Sequence, residues 1–181
     1  PTPADPLVLN HRNFPTATML SDASFVLGAL VGGPGTTTIG CLGGAQIDRY
    51  GNVNSTWIPP APFLVGSGGG NDVASTAAES VVVATLNPAR TPPECGYITS
   101  PGASVQALVT DLGRLEKRGD ELVLVAVPAG PDPAGAIERA RAACGWDLTV
   151  AGTVGELAPP DAAEVAALRR WDPKGTFLRA R

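Results

Sequence analysis

Short apolar runs recur along the chain, separated by polar or Gly/Pro-rich breaks, and several are apolar at consecutive rather than alternate positions. Residues 6–10 (PLVLN) read as a short buried strand. Ser21 then stands as an N-cap, with Leu20 and Phe25 spaced for a hydrophobic staple, and the helix DASFVLGALV stops against Gly32, Gly33 and Pro34. Residues 36–42 (TTTIGCL) are β-branched and apolar, which predicts a central strand. NVNSTW is a second extended piece, and a Pro-rich stretch leads into a strand at FLV. Residues 80–86 (SVVVATL) give the clearest strand. ASVQALVTDLG and ELVLVAVP flank the charged stretch RLEKRGDE and predict an antiparallel hairpin with a long loop. The helix PAGAIERARAAC follows, then the extended DLTVAG, then a Pro-bounded helix DAAEVAALRRW. Strands alternating with helices, most of them apolar on both faces, predict a three-layer α/β domain with a mostly parallel sheet, made mixed by the late hairpin.

Composition narrows the function classes. A chain of 181 residues suits a single domain spanning 1–181. Hydrophobic residues at 44% against charged ones at 17% exclude a disordered chain. A net charge of −4 and scattered arginines argue against nucleic acid as a partner, and aromatics at 5% leave no base-stacking platform. Three dispersed cysteines and one histidine draw no zinc pattern, so no metal site is expected. Cys41, inside an apolar run, reads as a small buried hydrophobe. No apolar run approaches the roughly 20 residues that span a bilayer, so no membrane association is expected and the reading is a soluble, cytoplasmic protein. PTPADP runs abruptly into LVLN, which raises the expectation of a missing N-terminal piece.

Familiar site templates fail one by one. Gly66–Ser67–Gly68–Gly69–Gly70–Asn71 has Asn where a dinucleotide fingerprint needs its third Gly. Neither Lys117 nor Lys174 stands in a Walker A setting. A calcium loop from Asp48 would meet Pro59 at its twelfth position, where Glu is required. His11 has no G-x-S-x-G elbow to serve, and its chemistry alone is that of a solvated loop residue. What survives is a pair of Gly-rich segments at predicted strand ends, GGAQ after TTTIGCL and GSGGGND after FLV. Glycines there let main-chain N–H groups approach an anion or a carbonyl oxygen, as a thioester or phosphate-bearing ligand requires. Each loop alone could equally be a tight turn; two converging loops favour a site.

Taken in order, CLGGAQIDRYGNVNST, GSGGGNDVAS, YITSPG, VTDLG and the closing DPKGTFLR resemble the β subunit of family I CoA-transferases. The likeness is to the branch holding the glutaconate CoA-transferase β subunit and a ring-opening acyl-CoA hydrolase of steroid degradation. It covers roughly residues 6–181. The resemblance implies an open sheet with helices on both faces and an α-like partner of similar fold, as a heterodimer or heterotetramer. The acyl-CoA site would lie where the subunits meet, with coenzyme A as a substrate moiety and no bound cofactor. It assigns substrate and CoA contacts to Gly43, Gly44, Gln46, Asp48, Asn52, Gly68, Gly69, Gly70 and Asn71.

The family's nucleophilic glutamate, which attacks the thioester and passes through a glutamyl–CoA intermediate, follows an early strand. Here PLVLN is followed by HRNF, so His11 or Arg12 takes that place, and Glu79 and Glu94 lie far downstream. Three readings stay open. One is acyl-CoA hydrolysis or C–C cleavage without a glutamate from this subunit, with backbone N–H groups stabilising oxyanion charge. Another is a true CoA-transferase. The third is a silent subunit that completes an active α partner. Locally, Asp48–Arg49 is expected to pair and brace its turn, with a phosphate or carboxylate on Arg49 as the alternative. Gly51–Asn52 is expected to make a tight turn, and Asn54 to satisfy backbone groups within the loop. Asn71 or Asp72 would cap a short helix that carries Ser75 and Thr76 on its surface.

Overall fold

The computed structural model describes residues 14–15, 17–60, 63–173 and 175. The predicted strand at 6–10, His11, Arg12 and most of the closing DPKGTFLR lie outside the described residues. Two compact units form, one of Ala23–Ala158 and one of the two ends, Pro1–Asp22 with Pro159–Arg181.

The larger unit holds a six-stranded sheet built from β1 (Ile39–Leu42), β4 (Glu79–Val83), β5 (Val105–Val109), β6 (Arg114–Arg118), β7 (Glu121–Pro128) and β8 (Val150–Leu157), in that spatial order. A two-stranded ribbon, β2 (Gln46–Ile47) with β3 (Val53–Asn54), stands apart from it. β1, β4 and β5 pair in parallel, as do β7 and β8, while β6 is antiparallel to both its neighbours. Five strands therefore run one way and β6 alone is reversed, giving the mixed, mostly parallel α/β sheet that the apolar pattern predicts. Their carboxyl ends share one edge, the edge at which open α/β sheets bind ligands.

The charged run RLEKR is a strand, not a loop. With period-two alternation, Leu115 faces the core at 0% exposure while Arg114, Glu116 and Arg118 share the other face. There Glu116 pairs with Arg114 at 3.1 Å and with Arg118 at 2.8 Å. Gly119, at φ +64°, and Asp120 turn the chain into β7. The expected long-loop hairpin is thus a three-stranded meander, and β5 and β7 never touch as neighbours.

β7 is buried continuously from Leu122 to Val127, as a strand covered on both faces must be. Helix α2 (Pro133–Ala143) packs on it through Ala136 and Ala140, starting at Asp132, whose Oδ1 accepts the Gly135 N–H at 2.8 Å. The core gathers Val82, Val105, Leu108, Leu115, Leu124 and Trp146.

Other expectations shift. β1 ends the sheet rather than occupying its centre, which leaves Ile39 and Cys41 exposed; Cys41 is not a buried hydrophobe. The first helix is a π-helical segment, Ser24–Val31, entered at Ala23, so Ser21 is not its cap; Gly32 N–H closes it on Leu27 O at 3.1 Å. FLV, residues 63–65, joins no sheet. In the smaller unit, α3 (Ala162–Trp171) opens with a capping box in which Asp161 and Glu164 exchange side-chain acceptors for each other's backbone N–H, both at 2.8 Å.

Candidate functional site

The chain leaves the carboxyl end of β1 through Gly43 and Gly44 and enters the β2–β3 ribbon, whose turn is organised by one side chain. Asp48 is 2% exposed. Its Oδ1 accepts the backbone N–H groups of Tyr50 and Asn52, each at 3.0 Å, and its Oδ2 accepts Asn52 Nδ2 and the Cys95 N–H, each at 3.1 Å. Four donors occupy the carboxylate, which is how a buried charge is held without a counter-ion. Gly51, at φ +85°, makes the reversal. Asn54, fully buried, accepts from Thr56 N at 3.0 Å and Trp57 N at 3.2 Å and donates to Trp57 O at 2.7 Å and Gln46 Oε1 at 3.0 Å. Gln46 Nε2 in turn reaches Ala89 O at 3.3 Å. Asp48, Asn52 and Asn54 thus shape the loop from within, and Gly43 and Gly44 form its rim.

Arg49 does not pair with Asp48. Its guanidinium reaches Glu94 at 3.3 Å and Glu121 at 3.7 Å and lies over the Tyr50 ring at 4.7 Å. The bracing role survives with different partners.

YITSPG is the other half of this unit. Val53 and Ser100 exchange backbone hydrogen bonds, both at 2.9 Å. Thr99 Oγ1 accepts the Ser55 N–H at 2.9 Å, and Gly102 N–H donates to Asn52 Oδ1 at 2.9 Å. A Cβ on Gly102 would stand 2.5 Å from the Gly51 carbonyl carbon, so the two backbones cross at a distance only glycine permits. Lys117, on the core face of β6, ties the crossing by donating to Tyr50 O at 3.0 Å and Gly102 O at 2.8 Å.

The second Gly-rich segment turns at Gly68, φ +56°, and opens α1 (Gly70–Thr76). Gly69 is the N-cap; neither Asn71 nor Asp72 caps the helix. A Cβ on Gly70 would lie 3.8 Å from Ser100 Oγ, which places this segment beside the first loop through a shared neighbour. Asn71 Oδ1 is buried and has no donor among the described residues. Ser75 and Thr76 are exposed on α1, and Thr76 Oγ1 donates to Asp72 O at 2.7 Å.

The thiols differ. Burial, and secondarily the Asp48 charge, push Cys95 up to about 12, so it stays a thiol and rests on Asn52 O at 3.5 Å. Burial also raises Cys144. Neither is a nucleophile at neutral pH.

Among the described residues, clefts open at the carboxyl edge of the sheet. One, of about 490 Å³, lies past the ends of β4 and β5 among Ala84, Thr85, Arg90, Thr110 and Asp111. Another, of about 420 Å³, lies past β7 between Leu112, Pro131 and Arg139. Sequence reasoning missed Arg90 because it sits in an aperiodic turn, but the structure ties it to the glycine rim: its guanidinium donates to Gly44 O at 3.3 Å. Its backbone carbonyl also accepts the Ile47 N–H at 2.8 Å. VTDLG supplies the opposite wall of that cleft, a placement its motif character alone could have suggested. Among the described residues no group of three His, Cys, Asp or Glu side chains gathers as metal ligands.

Comparison with known proteins places these features in a wider set. No family model matches the chain. It is 32% identical over 164 residues to the B subunit of glutaconate CoA-transferase from Acidaminococcus fermentans, covering 78% of this chain and 59% of that protein. It is 30% identical over 161 residues to the B subunit of 3-oxoadipate CoA-transferase from Pseudomonas knackmussii, covering 77% and 60%. The chain therefore spans about three fifths of the curated relatives it matches. The crystal structure of glutaconate coenzyme A-transferase from A. fermentans superposes with a TM-score of 0.68 at 30% identity, over 79% of this chain and 62% of that one. The decarboxylase AibA/AibB shares the fold, with a TM-score of 0.62 at 24% identity over 76% and 58%.

Proposed function

The chain belongs to the β subunits of the family I CoA-transferases, and from that premise we propose that it forms one wall of an acyl-CoA site completed by an α-like partner subunit. One observation carries the reading: both Gly-rich segments meet around Ser100 and Val53, and beside them stands Asn71 Oδ1, a buried acceptor without a donor among the described residues. The amide N–H groups of a pantetheine arm would satisfy that acceptor, and the open rim at Gly43 would admit a thioester. Gly68, Gly69 and Gly70 would line the arm. Gln46, Asp48 and Asn52 would hold the loop in shape behind it. Phe63, Val65 and Ile98 flank this face at 66%, 56% and 51% exposure, an apolar border suited to a partner subunit, as heterodimer or heterotetramer.

For the reaction, we favour hydrolysis or C–C cleavage that takes no glutamate from this chain. The position expected for the family's glutamate holds His11 or Arg12, and the next candidate downstream is Glu79. It begins β4, at the sheet edge opposite the glycine rim, and Glu94 is paired with Arg49. CoA transfer through a glutamyl thioester is the second reading, favoured by the curated relatives, both named as parts of CoA-transferases.

The test is to give the purified complex a panel of acyl-CoA thioesters with and without an acceptor carboxylate. Release of CoA thiol or carbon dioxide without acceptor is expected. Acceptor-dependent exchange with a borohydride-sensitive enzyme thioester on this chain establishes the second reading instead. Absence of acyl-CoA binding in any combination leaves a structural subunit.

A further inference from the structure

We infer that Ser100 touches the ligand of the proposed site: its hydroxyl donates to an amide carbonyl of the pantetheine arm, while Asn71 Oδ1 accepts an amide N–H of the same arm. The inference rests on the acyl-CoA reading above and deepens it by assigning a side chain of YITSPG to the ligand.

Five polar residues are buried among the described ones: Asp48, Asn54, Ser80, Thr91 and Ser100. Four of them spend their side chains inside the protein. Asp48 and Asn54 hold the first loop. Ser80 Oγ accepts from Ser104 Oγ at 3.0 Å, and Thr91 Oγ1 donates to Asn87 O at 2.8 Å. Ser100 is the exception. The residue is 5% exposed, and its Oγ has no hydrogen-bond partner among the described residues. Buried hydroxyls are nearly always paired, because an unpaired one bears its full desolvation penalty.

The backbone fixes where that hydroxyl points. Val53 holds Ser100 through both its N–H and its C=O, each at 2.9 Å, and Pro101 restricts Ser100 to extended backbone. A Cβ on Gly70 would stand 3.8 Å from Ser100 Oγ, so the hydroxyl faces the start of α1, where glycine leaves room. The next residue carries the other orphan, Asn71 Oδ1, and the two do not bond each other. Nearby hydroxyls are already engaged. Thr99 Oγ1 accepts from Ser55 N–H and meets Thr56 Oγ1, both at 2.9 Å, and Ser104 Oγ donates to Ala74 O at 2.6 Å.

Asn71 Oδ1 takes only a donor, and Ser100 Oγ is free to give one. Together they match a ligand that presents N–H and C=O side by side. The secondary amides of a pantetheine arm do so, whereas a thioester has no N–H and a diphosphate offers only acceptors. An adenine edge also pairs donor with acceptor, and the experiment separates it from the arm. With no general base bonded to it, the Ser100 hydroxyl binds rather than attacks.

The experiment screens acetyl-, butanoyl-, glutaryl- and benzoyl-CoA on the complex and takes the tightest, together with the matching acyl-pantetheine, which lacks the nucleotide. Kd for both, and the melting temperature without ligand, are read for wild type, Ser100→Ala and Gly70→Ala. Ser100→Ala should weaken both ligands about 2–10-fold, the range for one neutral hydrogen bond. Its melting temperature should be at or above wild type, since an unpaired hydroxyl has been removed. Gly70→Ala should also weaken both ligands, its methyl standing before the hydroxyl, with the melting temperature within a few degrees of wild type. A lower melting temperature in Ser100→Ala, an unchanged Kd in either variant, or weakening confined to the acyl-CoA overturns this inference alone. Failure of wild type to bind any of the four thioesters overturns it together with the acyl-CoA reading.

Discussion

Asn52 grips Asp48 at both carboxylate oxygens, its backbone N–H on Oδ1 at 3.0 Å and its side-chain Nδ2 on Oδ2 at 3.1 Å. With Tyr50 and Cys95 adding one donor each, removal of the carboxylate strands four N–H donors in a region where Asp48 itself is 2% exposed. Asp48→Ala should cost about 3–4 kcal/mol in urea unfolding, and Asp48→Asn about half of that. A loss below about 1 kcal/mol for the alanine variant would show that the loop does not hang on this side chain.

The two rim glycines separate stability from binding. A Cβ on Gly44 would lie 2.3 Å from Val53 Cγ1, whereas one on Gly43 meets nothing within 4 Å. Gly44→Ala should therefore destabilise by about 1–3 kcal/mol through overpacking. Gly43→Ala should leave the melting temperature within a few degrees of wild type and yet weaken acyl-CoA binding. Unimpaired binding in Gly43→Ala would remove the rim from the proposed site.

Lys117 supplies the tie between the two loops. Lys117→Met takes a charged donor from Tyr50 O and Gly102 O and should cost about 1.5–3 kcal/mol. Amide exchange should quicken at Asn52 and Gly102 before it does in β7. Uniform acceleration across the sheet would mean that Lys117 serves general stability rather than this crossing.

The thiols give a pH signature. Cys95 moves from its usual 9.0 to about 12 in the fold, so the native state holds its proton more tightly than the unfolded chain. Its contribution is complete below about pH 9 and is lost as pH rises from there toward 12. Cys144 shifts the same way. Cys95→Ala should flatten the alkaline fall in stability, and a thiol reagent at pH 8 should label exposed Cys41 first, with Cys95 and Cys144 following only on unfolding. Fast native labelling of Cys95 would contradict a half-buried thiol whose proton the fold holds more tightly.

Much of this was legible beforehand, and the gaps have physical causes. Apolar runs revealed β4, β7 and α2 because burial on both faces or one stripe writes itself into local periodicity. β6 escaped because it shows the core one leucine, with Lys117 spending its charge on carbonyls instead of solvent. Cys41 was misplaced since an apolar run does not say whether its strand lies inside the sheet or ends it. GGAQIDRYGNVN announced a turn through Gly51, but the distant partners, Cys95 for Asp48 and Glu94 and Glu121 for Arg49, are ones no local pattern could name. Arg90 was invisible for the same reason: an aperiodic turn hides where its side chain points.

The crossing of Gly51 and Gly102 also bears on the order in which the molecule assembles. Its ties join residues 47, 50 and 67 positions apart, from Asp48 to Cys95, Asn52 to Gly102 and Tyr50 to Lys117. Closing such loops costs chain entropy that only the finished sheet repays. The glycine rim therefore sets after the β5–β6–β7 meander, whose contacts are local. Damage to Asp48 will be felt as faster unfolding, with the refolding rate nearly untouched.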